Sequence, residues 1–470
     1  MAEKFEHEPM NRYPESGLSL LIVGGGIAGL AFAIEAYRKG HSVRVIERRP
    51  SFDDFGRVMS VNTDVSTTGD LIAIQTPALH TPKQWPGFMD RLRASSFTPR
   101  TVIKKYDGSL VGTFPLGTPD DPTLVFNRFE FHNILEGYAR SLNIPIEFSL
   151  NAVAYFESDE KGGVELSDGS KLEADIVVAA DGVGSKSWKL ILGEKNEPVS
   201  SGYALYRVSF PLGPEMENPI IAKEFEGYED RVSVHVGPDE HVVIGKSKKE
   251  ICWVLTHKDD GSADEEWTKT ACSDKAVELV KGWTPFLTEL INATPGHVVT
   301  DWKLMWRNPQ STWASPMSRA VQIGDSAHSF LPTSGSGATM ALEDAYSLAS
   351  CLQLSGKQAA LLGVRVHNHL RFERVACAQK TGFRRREAFH KTDWEAVAKN
   401  PDILGKAVLN HDPEKYAYEN YGNCVNLLVA GTPFKNTNGV PGYEYKPWTV
   451  QELLEASECG VPIVDEGDWT

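Results

Sequence analysis

Gly24-Gly25-Gly26-Ile27-Ala28-Gly29 places three glycines in the spacing G-x-G-x-x-G. At that spacing each glycine has a separate task. Gly24 permits a tight turn, Gly26 lets a pyrophosphate come up against the backbone, and Gly29 lets a helix pack closely on the preceding strand. A helix opening there offers free N–H groups and a partial positive charge to phosphate. Glu47 follows Gly29 by roughly the 20 residues at which an acid meets ribose hydroxyls. Together these residues read as a dinucleotide site, without distinguishing a nicotinamide from a flavin dinucleotide. Other candidates carry less chemistry. His367 and His369 are two apart and fall on different faces of a helix, so they make no metal pair. Arg384-Arg385-Arg386 reads as a solvated helix face. No metal site is expected.

The elements needed to hold the glycines are visible around them. Leu18-Ser19-Leu20-Leu21-Ile22-Val23 is an apolar run that ends at the glycines, the pattern of a strand buried on both faces of a parallel sheet. Small and apolar residues at helical spacing run from Ala28 to Lys39, and Gly40 ends them. Ser42-Val43-Arg44-Val45-Ile46-Glu47 is the next strand, which completes a βαβ unit. Phe129 to Leu142 reads as a helix, Asp175 to Ala180 as a third buried strand, Ala320 to Ile323 as a fourth, and Gly337 to Leu354 as a helix. Between about 200 and 257 the period changes to two, with strands at 231–236, 241–244 and 251–255 at hairpin spacing. The chain is helical again from about 360. The expected fold is therefore mixed: α/β with an antiparallel β part, a Rossmann-like domain interleaved with an antiparallel-sheet domain, and a helical C-terminal region.

Composition excludes several classes. The 470 residues include 48 Lys and Arg against 63 Asp and Glu, a net charge of −15, which argues against nucleic acid as a partner. Six cysteines show no C-x-x-C pair, the usage of reduced, scattered thiols. Residues 1–17 are polar, without the apolar core of a signal peptide, and read as a disordered tail. No apolar run approaches the ~20 residues of a membrane span. A cytoplasmic location is expected, and no oligomeric state is legible.

Two later segments narrow the dinucleotide to flavin by resemblance. Val177-Val178-Ala179-Ala180-Asp181-Gly182-Val183-Gly184-Ser185 resembles the Asp-Gly segment of the group A, para-hydroxybenzoate hydroxylase-like FAD-dependent monooxygenases. Ile323-Gly324-Asp325-Ser326-Ala327-His328, continuing through Pro332, Gly335, Gly337 and Ala338, resembles their Gly-Asp segment, G-D-A-A-H-x-x-x-P-x-x-G-x-G. Asn127-Arg128-Phe129-Glu130-Phe131 is similar to their R-x-x-L helix start, with Phe131 in place of the usual Leu. The resemblance covers roughly residues 18 to 355. It implies FAD as cofactor, with Arg128 and Asp181 at the cofactor and Asp325 on the ribityl chain. It also implies Gly335 and Gly337 against the isoalloxazine ring and a backbone amide near Ala338 beside it. The helix dipole starting there favours the negative charge of reduced flavin. His328 occupies a usual family position and reads as packing.

A narrower resemblance links the chain to fungal FAD-dependent monooxygenases that act on indole alkaloids, meroterpenoids and polyketides. Gly69-Asp70-Leu71-Ile72-Ala73-Ile74-Gln75 is similar to their G-D-x-I-G-L-Q run. Ser201-Gly202-Tyr203-Ala204-Leu205-Tyr206-Arg207 is similar to their S-G-Y-x-x-[FY]-R strand. Asp393-Trp394 and Asn410-His411-Asp412-Pro413 are similar to their C-terminal D-W and G-H-D patterns. The resemblance implies Arg207 and Asp70 as catalytic residues, with Arg207 facing the substrate above the flavin. Ala73 stands where a glycine is usual beside the flavin, and the stretch from Glu47 to Gly69 is longer than usual. Tyr203, Tyr206, His235 and Trp253 are candidate walls for a flat aromatic substrate.

The implied activity consumes NADPH or NADH and O2. It transfers one oxygen from flavin C4a-hydroperoxide to an electron-rich aromatic or indole natural product, by epoxidation or hydroxylation, with rearrangement to a spiro-oxindole as one outcome. A phenolic acid such as salicylate, or a polyketide phenol, is the alternative substrate. A halogenase is disfavoured because W-x-W-x-I-P is absent. A flavoprotein oxidase and a dinucleotide-sensing module are the other competing readings. The expected division is a cofactor domain from 18–80, 100–200 and 300–355, a substrate domain from 81–99 and 201–299, and the helical region from 356–470.

Overall fold

The computed structural model describes residues 7–52, 71–97, 100–115, 117, 123–263, 269–391, 394, 398, 409–461 and 463–468. Asp70 and Asp393 lie outside the described residues. The apolar run after Gly17 forms the strand Ser19–Val23, the centre of a five-stranded parallel sheet. Ser42–Ile46 and Ile176–Ala179 flank it, and Ile146–Glu147 and Ala320–Gln322 form the edges. Alternate residues of the central strand enter two cores. Leu20 and Ile22 pack with helices Ile27–Arg38, Arg128–Ser141 and Gly337–Ser355. Leu21 and Val23 pack with Tyr155, Val164 and Leu166 of a three-stranded sheet on the other side. A strand buried on both faces needs the unbroken apolar sequence seen here.

The second unit is an eight-stranded sheet. Its order is Thr270–Cys272, Val298–Trp306, Val199–Pro211, Glu250–Lys258, Glu240–Lys246, Arg231–Gly237, Arg100–Lys105 and Leu110–Pro115. All its neighbours are antiparallel except Arg231–Gly237 against Arg100–Lys105. Both faces are covered. Helices Pro219–Glu224, Asp274–Leu279 and Pro285–Asn292 close one side around Trp253, Leu255 and Phe286. Helix Ala360–His390, Leu331 and the strand pair Leu71–Ile74 with Leu124–Asn127 cover the other. Among the described residues no helix is long and apolar enough to cross a membrane.

Four expectations about organisation change, the first being that residues 300–306, expected in the cofactor domain, lie in the strand Val298–Trp306 of the large antiparallel sheet. Residues 100–115 join the large antiparallel sheet, because Val102 and Ile103 find their partners in the distant strand Arg231–Gly237. Residues 81–95 pack instead into the parallel-sheet core through Trp85, Phe88 and Leu92. The segment before Gly17 is tied down from Tyr13 onward. The Tyr13 amide donates to Arg38 O at 2.8 Å, the Ser16 amide to Gly40 O at 3.0 Å, and Ser16 Oγ meets His41 Nδ1 at 2.7 Å.

Trp85 anchors this arrangement. Its ring stacks on Tyr138 at 5.9 Å, and its Nε1–H donates to Glu35 Oε2 at 2.9 Å. Glu35 also takes two hydrogen bonds from Arg38, at 2.8 and 2.7 Å. Trp85→Ala is expected to lower unfolding free energy by about 3–5 kcal/mol, because it opens a cavity in a closed core. The urea midpoint measures this, and an unchanged midpoint would show that the ring carries no core packing.

Candidate flavin site

Three turns leave the carboxyl edge of the parallel sheet side by side. The first follows Val23. Gly24 has φ +104°, and a Cβ there would lie 2.5 Å from Ala180 O. A Cβ on Gly29 would lie 2.0 Å from Gly24 O, so helix and turn touch only because both residues are glycine. Gly26 differs, since nothing lies within 4 Å of the Cβ it lacks. The approach to its backbone is open, as a pyrophosphate requires.

Glu47 braces this loop. Its Oε2 accepts the Gly25 amide at 2.9 Å and its Oε1 the Arg49 amide at 3.0 Å. Each oxygen retains lone-pair capacity for a ribose hydroxyl. Behind the loop, His132 Nε2 meets Gly25 O at 2.7 Å. Burial lowers the His132 pKa to about 4, so the ring is neutral and Nε2–H donates. Sequence reasoning missed His132. The available signal was its spacing of four from Arg128 on one helix.

The second turn is Gly182–Gly184 and the third Gly324–Ser326, each a single 3₁₀ turn. Asp181 is half-buried. Desolvation raises its pKa, while the hydrogen bond from Ser326 acts the other way. Asp325 reaches solvent through the cleft but is ringed by protein. Burial raises its pKa too, against the charges of Arg128 and Arg307. Arg128 comes to this place because Asn127 caps its helix, Oδ1 accepting the Phe129 amide at 2.9 Å.

The rest of the third segment lines the cleft. Pro332–Ser334 makes a 3₁₀ turn, closed by Gly335 in the left-handed region at φ +60°. The helix Gly337–Ser355 then begins with no side-chain cap, leaving the amides around Gly337 and Ala338 uncapped. Thr339 Oγ1 accepts the Gln75 amide at 3.1 Å, which ties this helix start to the strand carrying Ala73.

His328 is structural, as its position implied. Its Nε2 meets Asp344 Oδ2 at 2.5 Å, and the same oxygen accepts the Gly324 amide at 3.0 Å. Arg371 Nε donates to Asp344 Oδ1 at 2.8 Å and its Nη1 bonds Glu343. Arg374 grips Glu343 with two bonds of 2.8 and 2.7 Å. Burial alone would raise the Glu343 pKa, but Arg374 and Arg371 hold it at about 2. Asp344 is likewise held well below the usual carboxylate range, against its burial, by His328 and Arg371. A depressed folded pKa contributes stability above the unfolded value of about 4.5 that is lost as pH falls toward the folded one. The urea midpoint should therefore drop between about pH 4.5 and 2. Glu343→Gln should be less stable at pH 7 and show a shallower drop. A parallel pH curve for the variant would contradict this role.

Arg207 lies on the sheet face that looks toward these turns. It is 2% exposed, and its guanidinium lies 5.2 Å from the Trp302 ring centre. The register explains the contact, since Leu205 pairs with Trp302 and Arg207 with Thr300, making Arg207 and Trp302 diagonal neighbours. Leu205, Val254, Trp302 and Leu331 share one cluster on this face. Next to it, Val243 packs with Leu71 and Ala73. Sequence reasoning also missed Trp302, which only the strand register brings to Arg207.

The four aromatic wall candidates do not gather here. Tyr206, His235 and Trp253 project from the opposite face. Tyr206 stacks on His257 at 4.6 Å, His235 lies 5.8 Å from Phe286, and Trp253 Nε1–H donates to Thr294 Oγ1 at 3.1 Å. They are core residues because neighbouring strand positions point to opposite faces. Tyr203 is on the Arg207 side, but its ring packs against the Arg386 guanidinium at 4.4 Å and the His390 ring at 4.8 Å. It fastens the helix to the sheet. Arg386, expected in solvent, is 3% exposed and donates to Ser201 O at 2.9 Å.

The open Gly26 backbone, the Glu47 acid, the Asp325 carboxyl in the cleft and the uncapped helix start fit FAD. The family model described as "FAD binding domain" matches residues 18–365. The chain belongs to this family. The FAD-dependent monooxygenase mdpD of Emericella nidulans is 35% identical over 98% of this chain and 92% of its own length. The FAD-dependent monooxygenase dmxR9 of a Cryptosporiopsis species is also 35% identical, over 98% and 91%. The crystal structure of CtdE in complex with FAD and substrate 4 superposes with a TM-score of 0.79 at 30% identity, covering 87% of this chain and 99% of that one. The mixed α/β and antiparallel fold, FAD as cofactor and monooxygenase activity follow from this membership.

Proposed function

We propose that this monooxygenase inserts one oxygen atom into an electron-rich, flat aromatic natural product of the indole or phenolic type, consuming NADPH or NADH and O2. The carrying observation is a buried guanidinium, Arg207, set among Val254, Trp302 and Leu331 on the face that meets the flavin turns. Bound FAD supplies the redox and oxygen-transfer chemistry. The chain's own residues do the rest. Gly24, Gly26 and Glu47 would hold the adenosine and pyrophosphate end, and Asp325 with the Gly335–Ala338 segment the flavin end. Val254, Val243 and Leu331 exclude water. Arg207 stays charged and offers five donors in a fixed fork, so it stabilises negative charge on oxygen as the bond to the substrate forms. Trp302 fixes the plane of that fork.

The test is a panel of an indole alkaloid, a phenolic polyketide and salicylate, read by NADPH and NADH oxidation and by incorporation of labelled oxygen. The reading expects one of the first two to accelerate oxidation and gain one labelled atom. Preference for salicylate would favour the simple-phenol alternative. Hydrogen peroxide as the only product with every compound would instead mark an oxidase.

A further inference from the structure

Beyond the strand ladder, the second and third turns are joined by one side chain. Ile176–Ala179 and Ala320–Gln322 are parallel neighbours, and the last ladder bond runs from the Ile323 amide to Ala179 O at 3.0 Å. Past that point each chain turns away on a glycine of positive φ, Gly182 at +77° and Gly324 at +58°. Two turns leaving a sheet edge this way have no intrinsic reason to keep a fixed spacing. Ser326 supplies one. Its Oγ accepts the Gly182 amide at 2.9 Å and donates to Asp181 Oδ1 at 3.3 Å. One hydroxyl thus uses its acceptor and its donor on the same neighbouring turn.

The two ends of this bridge are themselves immobilised. On one side, Gly324 is fixed by the buried Asp344 carboxylate, and a Cβ on Gly324 would lie 3.0 Å from Ala28 Cβ and 3.2 Å from Ala341 Cβ. On the other, the Ser185 amide closes the Gly182 turn at 2.9 Å, and Ser185 Oγ meets Ser187 Oγ at 2.7 Å. Asp181 is half-buried and takes the Ser326 hydroxyl, whereas Asp325, one residue before Ser326, is exposed and opens on the cleft. The open side of the second turn is its glycine, with nothing within 4 Å of the Gly182 Cβ position.

We infer that Ser326 is a positioning residue for FAD. Its hydroxyl locks the Asp181–Gly182 turn to the Asp325 turn and so fixes the spacing of the two cofactor-facing loops. Asp181 serves as an anchor for that lock. The inference rests on FAD occupying this cleft. It acts through geometry, so it belongs to retention and orientation of the flavin rather than to overall folding. Each bond broken is an ordinary hydrogen bond near a solvent-reachable surface, so the expected effect is moderate.

The experiment compares holoenzyme of the wild type, Ser326→Ala and Ser326→Thr. FAD release on dilution is followed by flavin fluorescence, and the visible circular dichroism of bound flavin is recorded alongside thermal melting of the flavin-stripped protein. Ser326→Ala should release FAD on the order of tenfold faster and change the flavin dichroism, with the melting of stripped protein nearly unchanged. Ser326→Thr, which keeps the hydroxyl, should restore both. The inference is overturned if Ser326→Ala retains FAD like the wild type. It is also overturned if Ser326→Thr is as defective as Ser326→Ala, or if the stripped alanine variant loses stability in proportion to its FAD. Wild-type protein without FAD would overturn the family reading itself, a result distinguishable from each of these.

Discussion

Arg207→Ala is expected to bind FAD as the wild type does and to lose product formation by on the order of 10²–10³-fold, the usual consequence of removing one preorganised donor from a site of developing charge. The cofactor should stay because the groups assigned to it, Gly26, Glu47 and Asp325, lie on the parallel-sheet side, while Arg207 projects from the antiparallel sheet. NAD(P)H oxidation should continue with hydrogen peroxide as the product, since the cofactor can still be reduced. Arg207→Lys should fall between the two. It keeps the charge but loses the planar fork and the stacking on Trp302 at 5.2 Å. The measurement is labelled-oxygen incorporation per NAD(P)H consumed with the best substrate of the panel. Wild-type coupling in Arg207→Ala would remove the residue from the mechanism.

Gly26→Val should abolish FAD binding while leaving the protein folded. The backbone permits the change, because Gly26 has φ −76° and its missing Cβ points into open space. That space is the one a pyrophosphate needs, so the valine methyls would stand where phosphate oxygens approach. Gly29→Val should behave differently. Its Cβ would meet the Gly24 carbonyl at 2.0 Å, so folding suffers together with binding. The pair separates two kinds of glycine that look alike in sequence. Flavin content and melting temperature measured on both variants decide the matter. A Gly26→Val protein that purifies with stoichiometric FAD would show that the glycine loop is turn chemistry alone.

The cofactor half was legible because its residue types are forced. Gly24 and Gly29 have no room for a side chain, and the strands beside them must be apolar throughout to be buried twice. The substrate half was less legible because both faces of its sheet are covered, so burial does not reveal which face meets the flavin. Alternation would have corrected part of the reading. Tyr206 adjoins Arg207 and must point the other way in a regular strand. His235 and Trp253 needed the register between strands, which the sequence does not state. The exchange between residues 81–95 and 100–115 has the same origin, a pairing of Val102 and Ile103 with partners far along the chain. Ser326, Trp302 and the His132 brace were hidden for a related reason: each acts through a neighbour that only the folded chain supplies.

The direct test of the central claim is the visible spectrum of the purified protein, with the flavin released from it identified and counted. Convergence of the Gly24, Gly182 and Gly324 turns on one cleft predicts a yellow protein carrying one FAD per chain, bleached by NADPH or NADH when substrate is present. Folded protein that is colourless and takes up no added FAD would contradict it.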